Sequence, residues 1–580
     1  MRKAFVLVLS CIIAVILLTL TGAFVSNVVS DKYFAEREAS IAQATNLAEA
    51  GINHGTEDLR NKILVELNNA VGTYSNNSAF TSYVDSNVDN NDSLDFLCDF
   101  LGFSYPSGIT DRVEYAFGSN DLPQSARIKD LGSYSGKIII KKQKDSDGND
   151  LEAYATDPSN PNTFVFPYEF TIEANGAASS INKNLGLLQG QFDATVQRAN
   201  FARFALFTNQ HQSPGGSTVW FTGNTRFEGP VHTNDRFSFA NNPSGYFTDE
   251  ITQKLSKARF YNNGRSKLLD ADRNGSLDVP TFEQGFQRSA NLLNLESAVT
   301  QNDLRNQALG DMNEPGSSGI YIPNDGSQTT GGIYIRGDSI IDMDVDANDR
   351  AVYTISQGSG RHRTTKKVSL NYQTQETQVQ EYDWRGNLDN DDTYSGLPEG
   401  QGDEGVIIFS RGDIDGLSGT IQKDSQVTIS SRDDITIDGH IRYQQYDTSP
   451  STNAENYTNL LGILSWGGDV RIGSDAPSNL DVHGVVMAPH GVFTVDQYSS
   501  RHPSGDVNLL GGVITDKYGP FGTFSGTTQR SGYGRNFIYD RRMLGAMSPP
   551  YFPTATDFMA TAPMLDRGMK DMDVIWQDKS

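Results

Sequence analysis

The longest uninterrupted apolar run stands at the start of the chain. Arg2 and Lys3 are followed by AFVLVLSCIIAVILLTLTGAFVSNVVS, Ala4 to Ser30, without a charged side chain. At ~1.5 Å of rise per residue, a helix over this run crosses a hydrocarbon core of ~30 Å. The pattern predicts a single transmembrane anchor over 1–30. From Asp31 to Tyr74 the texture becomes amphipathic. There is no proline, and Ile41, Ala44, Ala48, Ile52, Leu59, Ile63, Leu67 and Val71 recur at steps of three, four and seven. Those steps mark one face of a helix. A helical stalk over 31–75 is expected to continue the anchor, with Gly51 and Gly55 as bends.

After Tyr74 the periods shorten. Residues 76–200 read as a mixed α/β head. Leu94, Leu97, Cys98 and Leu101 sit three and four apart, which predicts a short helix with Cys98 on its inner side. Ile138-Ile139-Ile140, Leu151 to Ala155, Phe164 to Ala174 and Gly190 to Arg198 read as strands. Asp145 to Asp150 (DSDGND) reads as a hairpin turn.

Residues 201–545 read as a β-rich body of short strands parted by Gly-Asp or Gly-Asn turns. Gly332 to Ile340 (GIYIRGDSI) resembles Val406 to Ile414 (VIIFSRGDI), Ser431 to Ile437 (SRDDITI) and Trp466 to Ile472 (WGGDVRI). Asp413 and Asp434 are 21 residues apart, and Asp434 and Asp469 are 35 apart. Rungs of ~20 residues with insertions are the pattern of a parallel β-helix, in which stacked rungs bury what one rung cannot. A β-sandwich is the other candidate. The texture breaks near 249–313, read as an insertion with helical stretches such as Ser289 to Leu309. The tail, 546–580, has no clear period and is expected to cap the stack. The fold class is therefore mainly β with an N-terminal α stalk: an anchor, a long pilin-like helix, a mixed head, and a solenoid-like body.

Charge narrows the partners. The chain has 47 basic and 71 acidic residues, a net of −24. That argues against nucleic acid or an anionic lipid surface as ligand. Glycine is abundant at 55 residues, yet 30 Phe and 24 Tyr supply core material, so the composition is not that of a disordered chain. The basic start puts the N-terminus in the cytoplasm by the positive-inside bias. A cleaved signal has an apolar core of ~7–15 residues, and this run is longer. The expected location is the inner (cytoplasmic) membrane, with the body in the periplasm or at the cell surface. The two cysteines, Cys11 in the run and Cys98 outside it, are not expected to pair.

The sharpest local signal for chemistry is DADRNGSLD, Asp270 to Asp278. Oxygen-bearing side chains at Asp270, Asp272, Asn274, Ser276 and Asp278, with Gly275 at the sixth place, follow a calcium loop. Thr281 stands at the twelfth place, where a bidentate Glu is usual, and Glu283 is the substitute. A calcium ion here is expected to brace the loop. Asp342 to Asp349 reads as a strand with one acidic face, then a turn. The eight histidines form no HExxH and no close pair, and read as capped or solvated. No Gly-x-Ser-x-Gly is present. Arg336-Gly337-Asp338 and Arg411-Gly412-Asp413 sit at repeat corners, where the turn explains them. Hence no catalytic residue is assigned.

The basic start, the apolar run and the Ala/Glu-rich helix with Ala48-Glu49-Ala50-Gly51-Ile52 resemble the N-terminal segment of PilX-type pilus-assembly proteins, over roughly 1–65. The chain departs from prepilins in having no Gly before the apolar run and no Glu inside it. The resemblance implies a structural component of a type IV pilus or related envelope assembly. Its partners would be the membrane and other pilin-like proteins, met through the N-terminal helix. An adhesin for a surface glycan and a β-helix polysaccharide lyase or hydrolase are the alternatives.

Overall fold

The computed structural model describes residues 2–74, 77–85, 92–122, 132–156, 163–179, 181–222, 225–240, 245–262, 265–275, 279–295, 300–401, 405–446, 458–525, 528–544, 547–561 and 574–578. The protein is mainly β with a long apolar helix at its N-terminus. It divides into two units, 1–198 with 557–580, and 199–556.

In the first unit, anchor and stalk are one helix, Arg2–Asn61. It runs on through a π turn, Lys62–Glu66, into Leu67–Val71. Its two halves differ. From Phe5 to Phe34 the large apolar side chains are exposed on every side, whereas Ala44, Ala48, Ile52, Leu59, Ile63, Leu67 and Val71 are buried. The stripe read from the sequence is thus a buried face from Ala44 onward. Its partner is the chain's own antiparallel sheet, in the order Val113–Gly118, Ser133–Lys142, Thr163–Ala178, Ile181–Asn200.

Gly51 and Gly55 are sites of close approach, not bends. A Cβ at 51 would lie 2.8 Å from Ala174 Cβ, and one at 55 would lie 2.6 Å from Phe117 Cζ. The π turn brings Lys62 inward, where it donates to the Leu101 carbonyl at 3.0 Å and to Glu66 at 3.0 Å. It also lies 4.0 Å from the Tyr115 ring centre. π turns insert one extra residue per turn and so redirect side chains.

The short helix forms at Ser93–Leu101, with Leu94, Phe96, Leu97 and Leu101 buried and Cys98 half-buried. Asp92 caps it, accepting from Leu94 N at 3.0 Å while Asp92 N donates to Asp95 at 3.1 Å. Gly102, at φ +70°, ends it. Such reciprocal caps satisfy donors that a helix start leaves open. The Asp145 to Asp150 turn closes as expected, with Lys144 bridged to Asp150. Only Tyr154–Ala155 of the following stretch is a strand, and it pairs with Thr163–Ala178.

In the second unit the chain alternates between two large sheets. Val406–Ser410 lies in one and Ile414–Ile421 in the other. Gln426–Ser431 and Ile435–Tyr443 repeat the move, then Leu460–Ser465 and Val470–Ile472. Successive visits pair in parallel. Two of the sequence repeats are neighbours, with their Arg-Gly-Asp tripeptides in line: Ile333 faces Ile408, Tyr334 faces Phe409 and Ile335 faces Ser410.

The first sheet shows how the chain is laid down. Among the described residues its parallel order is Phe286–Arg288, Ile251–Gln253, Val231–Thr233, Leu206–Gln210, Val513–Lys517, Val485–Ala488, Leu460–Ser465, Gln426–Ser431, Val406–Ser410, Ile333–Arg336. Strands 206–288 run outward from the middle. The chain then passes to the opposite end and returns, so that Val513 comes to face Leu206. An antiparallel meander extends the other sheet: Ala351–Gln357, Thr364–Asn371, Glu376–Tyr382, Leu388–Ser395.

Two expectations need correction. Residues 249–313 are not a separate insertion, since Ile251–Gln253 and Phe286–Arg288 sit in the parallel sheet. Strands of two or three residues are shorter than the window in which a period shows. Of Ser289 to Leu309 only Gln301–Leu309 is a helix, capped by Thr300; 296–299 lie outside the described residues. The tail divides: 547–556 stay with the second unit, where Thr428 donates to the Pro550 carbonyl and Tyr551 to the Glu399 carbonyl, whereas 557–561 and 574–578 go with the first, where Val574–Asp578 pairs with Ile181–Asn200. The Asp342 strand forms as read, with Ile341 and Met343 buried, and Asp342 and Asp344 outward.

Candidate functional site

The predicted metal loop leaves the strand Arg265–Leu269 and re-enters at Thr281–Phe282. Gly275 makes the turn at φ +66°, a conformation that costs glycine little. Asp270 and Asp272 come together as expected, but around an arginine. Arg288 Nε donates to Asp270 Oδ1 at 2.9 Å and its second nitrogen to Asp272 Oδ1 at 2.7 Å. Arg288 is itself mostly buried and stacks 4.7 Å from the Phe286 ring centre. Asn274 Nδ2 is buried. Glu283 turns away and accepts from the Tyr246 hydroxyl. Ser276 and Asp278 lie outside the described residues.

The described part of the loop is therefore an arginine clasp. A calcium ion there competes with the guanidinium for both carboxylates, because the same oxygens serve either cation. Among the described residues no three His, Cys, Asp or Glu side chains are grouped to hold a metal. Arg288 was not legible as part of the site: it is 18 residues from Asp270 and belongs to no loop pattern.

A second constellation runs along the corner between the two sheets. Asp338 Oδ1 accepts from Asp413 N at 3.0 Å, Asp413 Oδ1 from Asp434 N at 2.9 Å, Asp434 Oδ1 from Asp469 N at 2.7 Å, and Asp469 Oδ1 from Val492 N at 2.9 Å. Each carboxylate thus caps the next level's backbone. Both Arg-Gly-Asp tripeptides end in this column, so their aspartates are spent on the turn. Beside it runs a hydroxyl column. Ser410, Ser431 and Ser465 face one another in register. Thr515, Thr208 and Thr233 continue the line at the other end of the sheet. All six are buried. Ser431 Oγ donates to the Gly412 carbonyl at 2.7 Å and Ser465 Oγ to the Asp433 carbonyl at 2.7 Å. Buried backbone groups at a corner need such partners.

Three buried histidines each have a polar neighbour on at least one ring nitrogen. His232 contacts Thr252 Oγ1 at 2.7 Å and Asn234 Oδ1 at 3.1 Å. His483 accepts from Tyr443 N at 3.1 Å, and His211 lies 3.3 Å from Thr208 Oγ1. Burial pushes His211 down to about 3, and His232 and His483 down to about 4, so these rings are neutral near pH 7. Burial, with Asp95 and Asp99 nearby, pushes the Cys98 thiol up to about 11. It is a packing residue, not a nucleophile.

Among the described residues, the first half of the N-terminal helix leaves its large apolar side chains from Phe5 to Phe34 exposed. It is long and apolar enough to be a single membrane span. No curated protein and no solved structure matches the chain. One family model does: residues 163–254 match a domain of unknown function, DUF4900.

Proposed function

We propose that the chain is a membrane-anchored structural component of a type IV pilus or related envelope assembly. Its N-terminus lies in the cytoplasm, its helix crosses the inner membrane, and its β units are displayed in the periplasm or at the cell surface. One observation carries the reading: the division of one continuous helix into an apolar half exposed all round and a half buried on its own sheet. Water does not tolerate the first half, and a bilayer or a bundle of like helices satisfies it. The contact helix for pilin-like partners is then Phe5 to about Phe34, since the face from Ala44 onward is already occupied.

The second unit is read as a parallel β-helix-like solenoid. The alternation of strands between two sheets and the aspartate and hydroxyl columns support it, because columns arise when equivalent corners stack. Such a scaffold works by presenting surface.

The test has two parts. Membranes washed with alkaline carbonate should retain the full-length protein, and protease added outside the inner membrane should digest the β units. Deletion should then impair piliation, twitching or secretion. A protein recovered in the soluble fraction sinks the anchor, and normal pili, twitching and secretion sink the assembly role.

A further inference from the structure

The antiparallel meander brings two of its turns, 358–363 and 383–387, to the same end, because the strands on either side of each are paired in register. There Arg361 and Arg385 lie over one indole, their guanidinium carbons 5.9 and 4.6 Å from the Trp384 ring centre. Trp384 keeps 44% of its surface exposed and the adjacent Leu388 keeps 50%. His362 and Arg363 are exposed beside them. In a chain of net charge −24, this end of the meander is a cationic exception with an apolar centre.

The tip is held in shape before any partner arrives. Asp383 folds its carboxylate into its own turn, accepting from the N–H groups of Arg385 and Asn387 at 2.8 Å each and from Asn387 Nδ2 at 2.9 Å. Glu381 is paired with Lys366. Asp383, held in its own turn, feels the Arg385 charge, but among the described residues neither Arg361 nor Arg385 forms an ion pair within 4 Å.

We propose that this tip is a docking surface for a uronate-bearing polysaccharide. A guanidinium held over an aromatic face still presents N–H donors outward, and that fork matches a carboxylate. The exposed indole and Leu388 offer apolar surface to the C–H faces of sugar rings, while the arginines take the acid groups. The neighbouring strand, Leu388–Ser395, exposes Asp389 and Asp391. A broad anionic bilayer would meet that acidic edge together with the tip and be repelled, whereas a narrow polymer chain meets the tip alone. The proposal is independent of the anchor and of the pilus reading.

Full-length protein in detergent micelles is titrated with polygalacturonate, with neutral dextran, and with phosphatidylglycerol-containing vesicles. Saturable binding to polygalacturonate that weakens with salt is expected, with none to dextran. Arg361→Gln with Arg385→Gln should weaken it about tenfold or more, and Trp384→Ala about threefold to tenfold. These side chains are exposed, so an unchanged urea midpoint shows that the variants are folded. Wild-type affinity in the variants, equal binding of dextran, or binding to vesicles alone overturns the proposal.

Discussion

The Asp413 carboxylate accepts the backbone N–H of Asp434 at 2.9 Å, one level along the corner of the second unit. Asp434 in turn accepts from Asp469 N at 2.7 Å and pairs with Arg471 at 2.8 Å. Each aspartate is donor at its backbone and acceptor at its side chain. Asp434→Ala removes the acceptor for Asp469 and should cost ~1–2 kcal/mol, whereas Asp434→Asn keeps an oxygen and should cost less. Urea midpoints of the two variants against wild type check the ordering.

Packing of the stalk makes a sharper prediction. A Cβ at Gly55 lies 2.6 Å from Phe117 Cζ and 2.7 Å from Ile172 Cγ2. Gly55→Ala should therefore lower stability by ~1–3 kcal/mol, the usual cost of overpacking. A Cβ at Gly22 meets nothing within 4 Å, so Gly22→Ala should leave the melting temperature unchanged. Thermal melts of both in one detergent give the comparison.

Acid should loosen the second unit through its buried histidines. In the fold His211 titrates at about 3 and His232 and His483 at about 4, while an unfolded histidine titrates near ~6.5. Between those limits the unfolded chain binds more protons, so stability rises with pH. It is fully present above ~pH 6.5 and falls on acidification toward pH 4, by up to ~1.4 kcal/mol per pH unit for each ring. His232→Asn should flatten the profile by about one ring's share, read from urea midpoints at pH 7.5 and pH 5.

At the loop, Arg288 and a divalent ion compete for Asp270 and Asp272. Arg288→Gln frees both carboxylates and should raise calcium affinity about tenfold or more, since a guanidinium no longer has to be displaced. Equilibrium dialysis of full-length wild type and variant measures it. Equal uptake by both places any bound calcium away from this loop.

The sequence makes some of this legible and hides the rest for physical reasons. The stripe from Ala44 to Val71 is read correctly as a buried face, because a period of 3.6 needs only one chain to show itself. What covers it is not in the period. Similar helices were the expected partner, and a sheet more than sixty positions downstream takes that place from Ala44 onward. The register of Ile333 on Ile408 is visible because Arg-Gly-Asp and Gly-Asp corners align the segments. The strands Arg226–Phe227, Val231–Thr233 and Ile251–Gln253 are too short to carry a period, so their place in the parallel sheet is invisible beforehand. The hydroxyl column from Ser410 to Thr233 joins residues from distant parts of the chain at irregular spacing, and no local pattern announces it. Asp270 and Asp272 are read as neighbours, while Arg288 enters only through the third dimension.

The pairing of Leu206 with Val513 sets a timetable for biogenesis. Synthesis delivers the first of these strands long before the second. Until the later segment emerges, the edge at Leu206–Gln210 has no neighbour on that side. Non-local closure of this kind is slow, and a bare strand edge invites pairing with the wrong chain. Cover of that edge until residue 517 has been made is the condition under which the closing strand finds its neighbour before another chain does.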